Sequence, residues 1–211
     1  TDFSILLGCV YHDCYYYNNS TLLEDRAGFY WTSSIAEDKD FNNVALVNYT
    51  NGIYYHDSLQ RSVGARPVLS YSLIRNICSN EVRGNDGILE VEYGEYPQKV
   101  PSKVLQDILE MIYNNYQSYI IETGKVYTVD SRSVDDNEKD FKEQVIKEYL
   151  FSDGKKYVRV KANTFHFTCI NDLSNGETYK RGDYVWVEVQ PIKWLIDEKS
   201  DIALSERILF A

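Results

Sequence analysis

Seven of the ten residues from Asn48 to Asp57 are Asn, Tyr, His or Asp. With Trp31 upstream and Arg61 downstream they make a candidate ligand-binding set: Trp31, Asn48, Tyr49, Asn51, Tyr54, Tyr55, His56, Asp57 and Arg61. The chemistry these types offer is recognition. Tyr and Trp present large, stiff contact areas with a polar tip, while Asn, Asp and Ser supply adaptable hydrogen bonds, the mixture that serves antibody loops. A plainer reading stays open beside it: Tyr30, Trp31, Tyr54 and Tyr55 alternate across half-buried strands, where aromatic rings are core.

The same residues do not assemble a catalytic set. Ser58, His56 and Asp57 have the types of a nucleophile, base and acid, but neighbours on an extended strand point to opposite faces and cannot converge. No nucleophile elbow, phosphate-binding loop or dinucleotide fingerprint occurs. Glu90 and Glu92 can share a strand face, yet nothing frames a cleft around them, so they read as solvent-facing carboxylates. His12, His56 and His166 are far apart, and His12 beside Cys9 and Cys14 lacks zinc-ligand spacing. The acidic run Asp135-Asp136-Asn137-Glu138 lacks the alternating ligands and central Gly of a Ca²⁺ loop. The four cysteines, Cys9, Cys14, Cys78 and Cys169, are irregularly spaced and read as free thiols. Cys9 and Cys14 can bridge a tight loop only in an oxidising compartment. The expectation is a protein that is not an enzyme, with no cofactor and no metal.

The elements around the candidate set are mostly strands. Val44 to Tyr49 alternates, Asn51-Gly52 supplies a hairpin turn, and Ile53-Tyr54-Tyr55 returns along it. Val63 to Ser72 is a further predicted strand, with Pro67 restricting its place in a sheet. Thr1 to Cys9 fits a helix tail or a strand. The polar, Gly/Asn-rich stretch 75–88 is the candidate linker between a first segment, 1–74, and a second, 89–211. The second opens with a strand at Leu89 to Tyr93. Ser102 then caps one amphipathic helix, Lys103 to Tyr116, on which Val104, Ile108, Met111 and Ile112, widened by Leu105 and Leu109, make the core-facing stripe while Asp107 and Glu110 face water. Glu143 to Phe151 and Lys156 to Val160 flank an Asp153-Gly154 turn, with 130–140 a solvated loop before them. Thr164 to Ile170 alternates as a strand. In Tyr184 to Val189, Tyr184, Trp186 and Glu188 alternate with Val185, Val187 and Val189. Trp194 to Asp197 and Asp201 to Leu204 form a last hairpin. Arg181-Gly182-Asp183 reads as a turn rather than as an integrin-recognition tripeptide.

Composition bounds the function classes. With 211 residues, 44% of them hydrophobic and 14% aromatic, the chain can bury a real core and is not a disordered type. A net charge of −10 argues against nucleic acid as partner, because phosphate recognition needs clustered Lys and Arg. It argues equally against an anionic membrane surface. No apolar run approaches the roughly 18–20 residues of a spanning helix, and Ile5 to Val10 is too short, and without a basic leader, for a signal peptide.

Three groups of residues carry a family resemblance. Tyr30-Trp31-Thr32-Ser33-Ser34 followed by Gly64-Ala65-Arg66-Pro67-Val68 resembles the closing half of a C-type-lectin-like domain. The branch is that of formylglycine-generating-enzyme-like proteins, phage tropism determinants and other variable proteins of diversity-generating retroelements. Val91-Glu92-Tyr93-Gly94-Glu95-Tyr96-Pro97-Gln98 is similar to the opening of uncharacterised phage and gut-bacterial domains linked to that fold. So is Val187 to Ile196 followed by Ile202-Ala203-Leu204-Ser205. The order is reversed relative to the family, closing half first. The resemblance therefore implies an α+β, β-rich, C-type-lectin-like fold that is split or tandem: either a piece of a longer array or two successive domains. The chain opens on Thr1 rather than Met and ends on Ile208-Leu209-Phe210-Ala211, which favours the piece or a processed chain.

The resemblance also implies a function. In retroelement-diversified relatives the variable positions are enriched in Asn, Tyr, Asp, Ser and His, and Asn42, Asn43, Asn48, Tyr49, Asn51, Tyr54, Tyr55, His56, Asp57, Ser58 and Ser62 match that palette. The chain's 19 Tyr extend well beyond this segment, so a Tyr-rich composition produces the same letters. The active-site cysteine pair of formylglycine-generating enzymes is missing from 28–69, and so are the Glu-Pro-Asn and Trp-Asn-Asp motifs of Ca²⁺-dependent lectins. What is implied is a phage-encoded binding or display module on a virion or extracellular surface, made in the cytoplasm of the producing cell. Its partner is a protein or glycan ligand on a cell surface. It is expected to be a homo-oligomer or part of a larger multidomain protein. The alternatives are a structural virion or assembly domain and a degenerate formylglycine-generating-type oxidase.

Overall fold

The computed structural model describes residues 1–7, 30–35, 44–48, 52–54, 67–84, 87–130, 143–162, 173–207 and 209. They form an α+β, predominantly β, protein. Among the described residues, eleven strands belong to two sheets: a three-stranded sheet and an eight-stranded antiparallel one. The chain divides into two compact units, one of 1–18 with 97–190 and one of 19–96 with 191–211. Each draws on residues from both 1–74 and 89–211. The divisions fall at Pro97 and Pro191, each inside a long strand.

The unit of 1–18 and 97–190 begins with helix α1 (Asp2–Leu6), whose Phe3 and Leu6 are fully buried. The Asp2 carboxylate holds it in place, accepting the Val100 N–H at 2.7 Å, the Ser174 N–H at 3.1 Å and the Ser174 hydroxyl. Strands β7 (Ile120–Asp130), β8 (Glu143–Phe151), β9 (Lys156–Lys161) and the first half of β10 (Tyr184–Asp197) follow one another across the sheet. The β8–β9 turn is the expected Asp-Gly type, with Gly154 at φ +80°. Val158, Val160, Val185 and Val187 are buried on one face. Trp186, Tyr157 and Phe151 fill the other beneath the long helix, Lys103–Asn115.

That helix starts where Ser102 accepts the Leu105 N–H at 3.4 Å and Pro101 precedes it. The face it buries differs from the expected one. Leu109 is buried and Leu105, Ile112 and Tyr113 pack beside it, whereas Val104, Ile108 and Met111 are 71%, 43% and 49% exposed. The apolar stripe is wider than the sheet can cover, and a polar bond selects the side that docks. Buried Gln106 meets the Trp186 backbone, which turns the Val104–Met111 stripe about a third of a turn aside. Glu110, expected in water, is half-buried against Arg159 and Trp186.

In the unit of 19–96 and 191–211, β1 (Tyr30–Ile35), β2 (Val44–Asn48) and β3 (Gly52–Tyr54) make the three-stranded antiparallel sheet. The strand expected over Val63–Ser72 is shorter: β4 is Val68–Ser70, and residues 63–66 lie outside the described residues. Beyond β4 the chain takes a helical turn, α2 (Tyr71–Ile74), because Asp201 intervenes. Its carboxylate accepts the Ser72 N–H at 2.7 Å and the Ser70 and Ser72 hydroxyls, and its carbonyl takes the Tyr71 N–H.

The expected linker 75–88 contains a strand, β5 (Ser79–Arg83), paired with β6 (Leu89–Lys99). Its polar residues mislead because β5 is exposed along its whole length. The core here is Ile74, Leu89, Val91, Trp194, Ile196 and Ala203, closed by β11 (Ile202–Ser205) between β4 and the second half of β10. With the long helix named α3, these are the elements that carry the candidate sites. The predicted strand at Thr164–Ile170, most of the predicted loop at 130–140, all three His and Cys9, Cys14 and Cys169 lie outside the described residues. Cys78 is a free, half-buried thiol.

Candidate functional site

The three-stranded sheet holds three of the nine candidate residues. Trp31 on β1 stands opposite Leu46 on β2, and Leu46 stands opposite Tyr54 on β3, so one line across the sheet joins Trp31 to Tyr54. Asn48 on β2 pairs with Gly52, the first residue of β3. Alternating residues in Val44–Asn48 account for β2 locally, whereas Gly52, expected in the turn, belongs to β3. Tyr49, Asn51, Tyr55, His56, Asp57 and Arg61 lie outside the described residues.

A second constellation is defined to the side-chain level, and the reading of candidate residues did not include it. Arg159, on β9, donates from Nε to Glu110 Oε2 at 3.0 Å and from a terminal nitrogen to Oε1 at 2.7 Å. The Trp186 indole donates to the same Oε2 at 3.0 Å, and Asn114 donates to Oε1 at 3.2 Å. Above and beside the guanidinium lie two rings, Tyr184 at 3.7 Å and Tyr113 at 5.0 Å from the carbon to each centroid. Tyr113, Tyr149 and Trp186 then meet edge to face at 5.4–5.9 Å.

Burial alone would raise the Glu110 carboxyl. The hydrogen bonds from Arg159 and Trp186 and the guanidinium charge outweigh it and hold the group below the usual carboxylate value. Burial, reinforced by the Tyr113 hydroxyl, pushes the Tyr149 phenol up to about 12. A carboxylate so fully engaged is a poor proton acceptor, and a phenol so raised is a poor acid near neutrality, so this arrangement does not suit general acid–base work. What it does is present a ring. Tyr184 is 51% exposed, one face fixed on a guanidinium that Glu110 itself fixes, so little rotamer freedom remains to be lost on contact. The signal in the sequence was the Tyr184–Trp186 alternation. Its partners at 110 and 159 lie on other elements.

Among the described residues no group of three or more His, Cys, Asp or Glu is placed to hold a metal ion. None of their helices is long and apolar enough to cross a membrane. No family model, curated protein or solved structure matches the chain.

Proposed function

We propose that this chain is a non-enzymatic binding and display module of C-type-lectin-like architecture, phage-encoded and virion-associated, that recognises a protein or glycan on a bacterial surface. The observation that supports it best is the line Trp31–Leu46–Tyr54, with the Asn48–Gly52 pair beside it. Residues far apart in sequence share one small sheet, and the Tyr/Asn/His-rich segment extends directly from its last strand. Aromatic residues of this kind suit recognition, because their contacts come at low ordering cost.

The test is binding to whole bacterial cells, beside a variant carrying Tyr54→Ala, Tyr55→Ala, His56→Ala and Asp57→Ala. Interface hot spots cost about 2 kcal/mol or more each on truncation, so saturable binding should disappear in the folded variant. Equal binding by both proteins, or none by either, overturns the site. A structural assembly role is the second reading. The exposed Val104, Ile108 and Met111 stripe favours it, since apolar rows on a surface helix suit packing against neighbouring copies.

A further inference from the structure

The stretch 173–179 is fastened to the start of α3 by one side chain. Asn175 donates from Nδ2 to the Pro101 carbonyl at 2.9 Å and to the Tyr179 hydroxyl at 3.0 Å. Its Oδ1 accepts the Glu177 N–H at 3.0 Å. Ser174, next to it, is held in turn by the Asp2 carboxylate through both its N–H and its hydroxyl. Leu173 and Tyr179, at 2% and 7% exposed, anchor the two ends of the stretch.

The residue after Asn175 is Gly176, at φ +72°. With no side chain at 176 to shield the backbone nitrogen, the Asn-Gly pair can rearrange covalently. The Gly176 nitrogen, giving up its proton to water, bonds to Asn175 Cγ; the Cγ–Nδ2 bond breaks and Nδ2 leaves as ammonia. Water then opens the cyclic imide, at Cγ to give Asp or at the backbone carbonyl carbon to give an isoaspartyl link. The net change turns one amide and one water into one carboxyl and one ammonia. The fold opposes the first step. The Gly176 N–H donates to the Leu173 carbonyl at 2.9 Å, closing residues 173–176 into a turn. Attack needs the reacting atoms aligned, and an amide bonded at three points cannot swing onto its own backbone.

We propose that Asn175 is a gated modification site: inert while Asp2 and Tyr179 hold the stretch 173–179, and converted to Asp or isoaspartate when that hold opens. The change runs one way. A carboxylate has no hydrogen to give, so the carbonyl of buried Pro101 loses its Asn175 donor and cannot regain it. The bond from the Glu177 N–H survives in Asp, since that side chain still accepts. An opening event therefore leaves a permanent mark at one position, and the marked stretch closes less firmly on α3.

The experiment incubates the full chain, Asp2→Ala and Tyr179→Phe at one mildly alkaline pH, in buffer and in guanidinium chloride. Peptide mass spectrometry with fragmentation follows conversion at Asn175 and separates it from the other Asn-Gly pair, Asn51-Gly52. In denaturant the three chains convert alike. In buffer the parent converts at least about tenfold more slowly than in denaturant, and each variant at least about threefold faster than the parent. If Asp2→Ala lacks a cooperative unfolding transition, Tyr179→Phe alone decides. Folded variants no faster than the parent overturn the inference. So does a parent that converts equally in buffer and denaturant, or in neither. In Asn175→Asp the Ser174 amide exchanges faster than in the parent; unchanged exchange there overturns the one-way loosening.

Discussion

The side-chain amide of Gln106 takes the place of a neighbouring strand at Trp186: it accepts the Trp186 N–H at 2.8 Å and donates to the Trp186 carbonyl at 2.5 Å. A helix thereby completes the hydrogen bonding of a β-strand, and the bond is buried. It also orients α3, since no apolar contact is as directional.

Gln106→Leu keeps the volume but leaves a buried N–H and a buried C=O unpaired. Each such group costs about 1–3 kcal/mol. The expected outcome is a loss of about 2–5 kcal/mol in urea unfolding, with Gln106→Glu losing at least as much, because a carboxylate accepts the N–H but buries a charge against the Trp186 carbonyl. A loss below about 1 kcal/mol for Gln106→Leu would mean that α3 is seated by Leu109 and its neighbours alone.

The Glu110–Arg159 pair sets a response to acid. The folded carboxyl titrates below its unfolded value of about 4.3. Its contribution is therefore complete above that value and disappears as pH falls through the lower folded one. Glu110 is 35% exposed, so solvent screens the pair and the contribution is at most about 1 kcal/mol. Unfolding midpoints between about pH 6 and pH 3 should fall more steeply for the parent than for Glu110→Gln. Parallel curves would show that the pair adds nothing to stability.

Local signals carried much of this fold and non-local ones were lost. The Asp153-Gly154 turn, the Ser102 cap and the Tyr184–Val189 alternation each act over a few residues and could be read directly. β7 could not. Its residues from Ile121 to Val126 are all exposed, so no buried side imposes alternation there, and Glu122, Gly124 and Lys125 interrupt what pattern remains. β6 and β10 were read as ending before Pro97 and Pro191, yet both strands continue through them. The Asp2–Ser174 contact joins residues 172 apart, beyond any windowed pattern. Of the candidate site, β2 was legible from the alternation of Val44–Asn48, but the register was not, because Gly52, expected in the turn, pairs with Asn48 as the first residue of β3. The Glu110–Arg159–Tyr184 arrangement was not, because three separate elements build it.

Tyr149 is one of the buried phenols, with Tyr157 and Tyr179, that act on the alkaline side. Its phenol ionises near 10 in the unfolded chain and at about 12 when folded. Between those values the unfolded state has already released the proton that the folded state keeps, so stability falls as pH rises through that window. Tyr149→Phe should flatten the fall, read as unfolding midpoints at about pH 9, 10 and 11.

The two sides of α3 give opposite expectations for similar chemistry. Leu109→Ala removes a buried side chain packed on Phe151, Tyr157 and Trp186, and such truncations cost about 2–5 kcal/mol. Val104→Ala and Met111→Ala act on exposed positions. Each should stay within about 0.5 kcal/mol of the parent, as surface substitutions do, with Ala's helix propensity offsetting part of any lost contact. If Val104→Ala cost as much as Leu109→Ala, the face expected from the apolar pattern would be the buried one after all. If Val104 and Met111 are neutral for unfolding but their replacement by Asp abolishes concentration-dependent association, the stripe is covered by another copy and the assembly reading moves ahead of the binding one. Unfolding and association together therefore separate a helix face that stabilises this chain from one that joins it to a neighbour.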